Sequence, residues 1–304
     1  MKELLQHAVR DWEQFARTLD NPALVRFDGH YIGWITPKGM SAGRRHWLSE
    51  DIGSATVRDA TEEELRHLCA LAPKIAGAIR FSGTGQIHDP DAVLKAAAER
   101  IASAGGRIIE AEATDLIQKG PDVRVKLRDG RILQGDAVVV AAGVYSRSLL
   151  EQLGYRVPVI AERGYHVQYP AGQWPADMPP VVFEDRAMIV TRFASSVRAA
   201  GFVEFCDPGA PVDREKWRHL AGNAVDLGLD LGEPTGTWMG SRPTLPDYLP
   251  AIGRSRRAAN LFYAFGHQHL GLTLAPATGD IVAALVMDET YPLDVRPFDL
   301  ERFA

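Results

Sequence analysis

The segment Phe265–Gly279, FGHQHLGLTLAPATG, sets His267 and His269 two residues apart, follows them with Gly271 and Thr273, and turns abruptly into helix-forming sequence. Three chemistries fit these residue types. Two imidazoles could ligate a metal, but zinc needs a third and usually a fourth ligand, and no HxxxH or HxxE spacing supplies one; no metal site is expected. A plain turn that happens to hold histidines is the second reading. The third is a helix start aimed at a ligand. Gly266 and Gly271 permit close backbone approach, and the amides of Leu272, Thr273 and Leu274 fall where a helix leaves its donors unpaired. Such an end carries about half a positive charge and favours an anion or an electron-rich carbonyl.

Two further stretches carry candidate chemistry. In WMGSRPTLPDYLPAIG, Arg242 lies between a glycine-flanked strand and Pro243. Its planar fork could meet a substrate carboxylate or a phosphate, or it could pair with Asp247 and pin the loop. In DAVVVAAGVYSRSLL, a continuous apolar run predicts a central strand buried on both faces. Its small residues Ala141, Ala142 and Gly143 would let a bulky ligand come close. Gly83-Thr84-Gly85 begins like a phosphate cradle, but His88 stands where a third glycine belongs, so this is read as a turn.

These residues must be positioned by a chain of 304 residues, long enough for about two domains. The start is an amphipathic helix, with Leu4, Leu5, Ala8, Trp12, Phe15 and Leu19 at helical spacing. A strand pair turning at Asp28-Gly29 follows, then a helix opened by a Thr61–Glu64 capping box. Asp89 as N-cap with Pro90 behind it starts another helix, which stops at Gly105-Gly106. Strands dominate from RIIEAEATDLIQ through a hairpin at Asp129-Gly130 to RAAGFVEF. Helices are expected at about 213–227 and 273–288. Residues 1–84 and 159–239 read as a mostly antiparallel sheet with helices, and residues 85–158 and 240–304 as α/β, so the two parts interleave. The net charge of −5 provides no global basic field for nucleic acid. Cys69 and Cys206 stand far apart, as thiols of a reducing compartment do. No apolar run reaches the ~18 residues of a membrane span, and the acidic first helix does not read as a signal peptide. A cytoplasmic protein is expected.

Taken in order, these segments resemble the D-amino acid oxidase/dehydrogenase family of flavoproteins, which includes glycine oxidase. VVVAAGVYSRSLLEQLG looks like the family's strand beside the dinucleotide. GSRPTLPDYLPAIG looks like its G-x-R-P…P-D-x-x-P-x-I-G segment, and NLFYAFGHQHLGLTLAPATG like its closing strand–loop–helix at the flavin ring. GTGQIHDPDAVLKAA matches a further segment, and ERGYHVQYP is most similar to members acting on D-proline-like and hydroxyproline-like substrates. The resemblance covers essentially the whole chain. It implies a mixed α/β fold, with a Rossmann-like FAD-binding part interleaved with an antiparallel substrate-binding sheet.

The resemblance also implies roles. FAD would accept hydride from Cα of a D-amino or imino acid, giving an imine that hydrolyses to a 2-oxo acid. Arg242 occupies the place of the family's substrate arginine, and Tyr165 would close over the substrate. His269 stands where glycine oxidase-like members carry an arginine, which puts a second grip on substrate or flavin in doubt. Gly266, His267, Gln268, His269, Leu270, Gly271, Leu272 and Thr273 would lie at the flavin ring. Ala141, Ala142 and Gly143 would line the dinucleotide, and Ala113 would make a backbone contact to adenine. Oxygen and a membrane quinone both stay open as electron acceptor, the latter with peripheral attachment to the inner membrane. The family opens with a G-x-G-x-x-G strand–helix unit that holds the pyrophosphate, and no such motif occurs in these 304 residues. The expectation is therefore a truncated or incomplete FAD-binding part, with weak FAD binding by this chain alone. A partner chain or upstream segment would complete it; the alternative is a non-catalytic fragment.

Overall fold

The computed structural model describes residues 1–172 and 174–304. Its largest unit is an eight-stranded sheet in the order Gly236–Thr244, Ile160–Pro170, Ser196–Cys206, Met188–Arg192, Val181–Phe183, His30–Trp34, Gly77–Ser82, Thr56–Asp59. All its pairings are antiparallel except Val181–Phe183 with His30–Trp34. Strand alternation divides its residues cleanly. One face carries Tyr165, Val167, Tyr169, Val181, Phe183, Val190 and Ala199, which form a core with Leu68 of the helix Glu62–Leu71 and Leu220, Ala224 and Leu227 of the helix Glu215–Leu227. The registers Glu162↔Arg242, Gln168↔Arg198 and Thr191↔Arg198 place those side chains on the other face.

A second, three-stranded sheet runs Ala251–Arg254, Leu261–Phe265, Val138–Val140, the last pair parallel. The helix Ala275–Val286 packs on it through Leu274, Ala277 and Ile281 against Ile252 and Leu4. The first helix, Lys2–Thr18, thus docks on the closing helix and not on the large sheet. Conversely, residues 240–244 continue the edge strand of the large sheet. Both differ from the boundaries expected from sequence, because hydrophobic periodicity identifies an apolar face but not the surface it covers.

Local signals otherwise read true. Thr61 and Glu64 form the capping box, Asp89 caps the helix Pro90–Ser103, and Gly130 turns a hairpin at φ +89°. Three expectations need correction. Val25–Arg26 pairs with Gln86–Ile87 and not with His30–Trp34. Val138–Val140 is an edge strand with Val139 41% exposed, not a strand buried on both faces. Of RIIEAEATDLIQ, only Ala113–Lys119 is a strand, leaving Arg107–Glu112 outside any ladder with Ile108 and Ile109 exposed. Among the described residues no helix is long and apolar enough to cross a membrane.

Candidate active site

The edge strand of the large sheet and its inner neighbour build the centre of the site. Arg242, on Gly236–Thr244, stands opposite Glu162, on Ile160–Pro170. The Glu162 carboxylate is buried, 2% exposed, with Arg242 Nη1 3.7 Å from its Oε1. Thr244 donates its hydroxyl to Oε2 at 2.9 Å. The Arg242 guanidinium is 31% exposed. It lies over Gly164, where an added Cβ would come within 2.5 Å of Cζ. Buried Nη1 has no hydrogen-bond partner among the described residues. Burial lowers the guanidinium from its usual pKa and the Glu162 charge partly restores it; an arginine stays charged under either influence. A half-buried, charged fork without a hydrogen-bond acceptor is a costly arrangement in a folded chain unless a ligand completes it. The alternative pairing with Asp247 does not form, because Asp247 is taken by Arg302 at 2.7 Å.

The histidine loop closes over this pair. Thr244 bridges to His267, which brings the end of the Arg242 strand against the loop after Leu261–Phe265. Gly266 turns that loop at φ +84° with Leu245 beneath it. His269, 48% exposed, then reaches Glu162 Oε1 through its Nε2. Its neighbour goes elsewhere. His267 is buried, its Nε2 is 3.0 Å from Thr278 Oγ1, and burial lowers its pKa to about 4. The two imidazoles have different partners, and among the described residues no group of three or more metal-ligating side chains forms.

Several residues expected at the cofactor or substrate serve other purposes. Tyr165 is a correction: it lies on the helix-covered face, 2% exposed, donating to Glu204 at 2.6 Å. The period of a strand puts it opposite to Glu162 and His166, so it cannot close over a ligand at Arg242. His267 is likewise turned inward to the closing helix, Gln268 donates to the Tyr248 carbonyl, and Leu270 packs beside the Leu4–Ile281 core. The Leu274 amide is paired with Leu270 O, while those of Gly271, Leu272 and Thr273 have no backbone partner among the described residues.

Leu272 and Thr273 are exposed and line a cavity of about 510 Å³ with Trp12, Ile189, Thr191 and Arg198. Trp12 Nε1 holds the turn open by donating to Leu272 O at 2.9 Å. A neighbouring cavity of about 820 Å³ shares Ala8, Val9, Pro180, Ile189 and Thr273. Both are floored by the same face of the large sheet that carries Glu162 and Arg242. Ala141, Ala142 and Ala113 are exposed, and Gly143 takes φ +57° with open space around its missing Cβ. The bare backbone at Ala141–Gly143, the free amides of the turn and the cavity that Leu272 and Thr273 line fit an extended dinucleotide with a planar ring.

Glu162 is the candidate site residue that sequence reasoning missed. An acidic residue in a strand ordinarily faces water, and only its alternation with Gly164 and His166 hinted at a distinct face.

Comparison with known proteins bears on the family and the fold. Residues 1–285 match the model of the FAD dependent oxidoreductase family. The chain is 30% identical to a D-amino-acid oxidase from Bradyrhizobium diazoefficiens over 311 aligned positions, covering 100% of this chain and 73% of that protein. Two solved structures share its fold. The iminodiacetate oxidase from Chelativorans sp. BNC1 superposes with a TM-score of 0.79 at 20% identity, over 96% of this chain and 82% of that one. The glycine oxidase from Geobacillus kaustophilus gives 0.78 at 23% identity, over 98% and 81%. This chain belongs to the FAD dependent oxidoreductase family, whose cofactor is FAD.

Proposed function

We propose that the FAD-bound enzyme oxidises a small D-amino or imino acid at Cα to an imine, which water converts to the 2-oxo acid. The observation that carries this reading is the Arg242 guanidinium, half-buried over Gly164 with an unpartnered Nη1. Two parallel hydrogen bonds to a substrate carboxylate would satisfy it and fix the direction in which Cα–H points. When bound, FAD supplies the hydride acceptor. The chain's own part is to bind, orient and exclude water: Leu272 and Thr273 would hold the electron-rich edge of the ring with their amides, and Ala141–Gly143 would line the dinucleotide. The relative named as a D-amino-acid oxidase supports the substrate class. The reading keeps the enzyme in the cytoplasm, with oxygen or a membrane quinone taking the electrons.

The same proposal gives the nucleotide part a further strand–helix unit, from this polypeptide or a partner chain, seated between Val138–Val140 and Arg107–Glu112. What supports it is that Val138–Val140 is paired on one side only and that Arg107–Glu112 runs without a strand partner. The test is FAD titration of the 304-residue chain alone and together with a G-x-G-x-x-G unit. Weak binding alone and a tightly held yellow flavin in the pair is the expected result. Stoichiometric flavin in the chain alone overturns the two-part reading. Failure of the loaded enzyme to oxidise any amino acid, with carboxylate binding indifferent to Arg242→Ala, overturns the substrate reading.

A further inference from the structure

Resting on the amino acid reading, we infer that Glu162 and His269 form a proton-accepting pair for the substrate's ammonium group. Glu162 is the positioning residue and His269 the residue that touches substrate. An amino acid reaches the enzyme at neutral pH with its nitrogen protonated, and hydride leaves Cα readily only when that nitrogen has a free electron pair. A group beside the carboxylate grip must therefore take one proton.

The geometry supplies it. Arg242 Nη1 and His269 Nε2 converge on one oxygen, Glu162 Oε1, so the carboxylate fixes the carboxylate-binding fork and the imidazole relative to each other. Thr244 occupies the other oxygen and prevents the carboxylate from turning away. The ion-pair contact of Nε2 with Glu162 Oε1, an oxygen that no hydrogen bond occupies among the described residues, favours the tautomer with its proton on Nε2, whose Nδ1 is a bare acceptor. The charged groups facing the ring are Glu162 from the strand Ile160–Pro170 and Arg242 from the strand Gly236–Thr244. In the step, one N–H bond of the ammonium breaks, its electron pair stays on nitrogen, and the proton forms a bond to Nδ1. The positive charge moves to an imidazolium already in contact with a carboxylate.

Two experiments test this. In the first, the ring nitrogens of His269 are followed by ¹⁵N NMR in the FAD-loaded protein at pH 7 with two probes that cannot be oxidised, 2-aminoisobutyrate and isobutyrate. Protonation of Nδ1 by the amine-bearing probe only, lost in Glu162→Gln, is the expected result. If both probes bind in an Arg242-dependent manner and Nδ1 stays bare with both, the proton-accepting pair is wrong while the amino acid reading stands. If neither probe binds, the amino acid reading fails and takes this inference with it. In the second, the pH dependence of kcat/KM is compared for wild type and His269→Gln. A loss of roughly 10²-fold near pH 7 that shrinks towards the pH at which substrate arrives as the free amine fits a missing proton acceptor. A loss of equal size at every pH marks a merely structural histidine and overturns the assignment.

Discussion

The guanidinium of Arg242 lies across the bare Cα of Gly164, the residue two positions along the strand from the buried carboxylate that it faces. A strand face that presents an acid, then nothing, then the stacked pair His166 and Trp238 is shaped around a side chain from its neighbour. Gly164→Ala tests this. The added methyl would fall within 2.5 Å of Cζ, so the fork must move while the helix-covered core behind the sheet is untouched. Carboxylate affinity should fall about tenfold or more with little loss of stability, because the methyl meets only the far end of a flexible, partly exposed side chain. Unaltered carboxylate binding, measured by calorimetry, would show that the fork does not need this floor.

Arg242→Ala should lower kcat/KM for carboxylated substrates by roughly 10- to 100-fold, since a hydrogen bond to a charged group is worth about 1.5–3 kcal/mol. Arg242→Lys should recover only part of this, because an ammonium cannot present two parallel donors. Steady-state kinetics with a carboxylate substrate and its amide decide it: the amide should be nearly indifferent to either change.

Acid should weaken the fold through histidine. His267 is held at about 4 by burial, and His30 and His166 at about 4 by burial and the charges of Arg80 and Arg198 respectively. Their ordinary value is 6.5, so the unfolded chain takes up protons that the folded chain refuses. Stability is full above about pH 6.5 and falls as the pH drops towards 4. One such proton sets a slope of about 1.4 kcal/mol per pH unit. Urea melts of His267→Gln from pH 7 to pH 4.5 should show a shallower decline than wild type. Parallel curves would mean that His267 titrates normally.

Arg163 makes a different kind of prediction. It is buried on the helix-covered side and donates to the carbonyls of Asp207, Pro208 and Pro211 at 3.0, 3.0 and 3.1 Å, and to Ala210. Arg163→Leu would leave these acceptors without their donors and should cost about 3 kcal/mol. Arg163→Lys should regain only a fraction. Thermal melts would expose the difference, and a Leu variant as stable as wild type would remove Arg163 as the anchor of the loop 207–211.

What could be read from sequence was local chemistry. The cap at Asp89, the box at Thr61 and the hairpin at Gly130 each depend on residues within a few positions of one another. The Arg242 and His269 segments were readable because an unusual residue sits among glycines and prolines. Glu162 was not, since its partners lie 80 and more positions further on in the chain and only the fold brings them together. Tyr165 failed for a related reason: one step along a strand exchanges cavity for core. The helix Pro37–Ser49 also escaped notice, although Thr36 caps it and proline follows the cap, because its glycines resemble a loop. Gly43 in fact makes room for the Trp34 indole.

The lone outer rim of Val138–Val140 has a practical outcome for anyone handling the polypeptide. Unsatisfied amides and carbonyls along a valine-rich border invite any extended chain to zip onto them, including a second molecule of the same kind. Purified by itself, the protein should clump in proportion to its concentration, and whatever seats itself along that border should keep it dispersed.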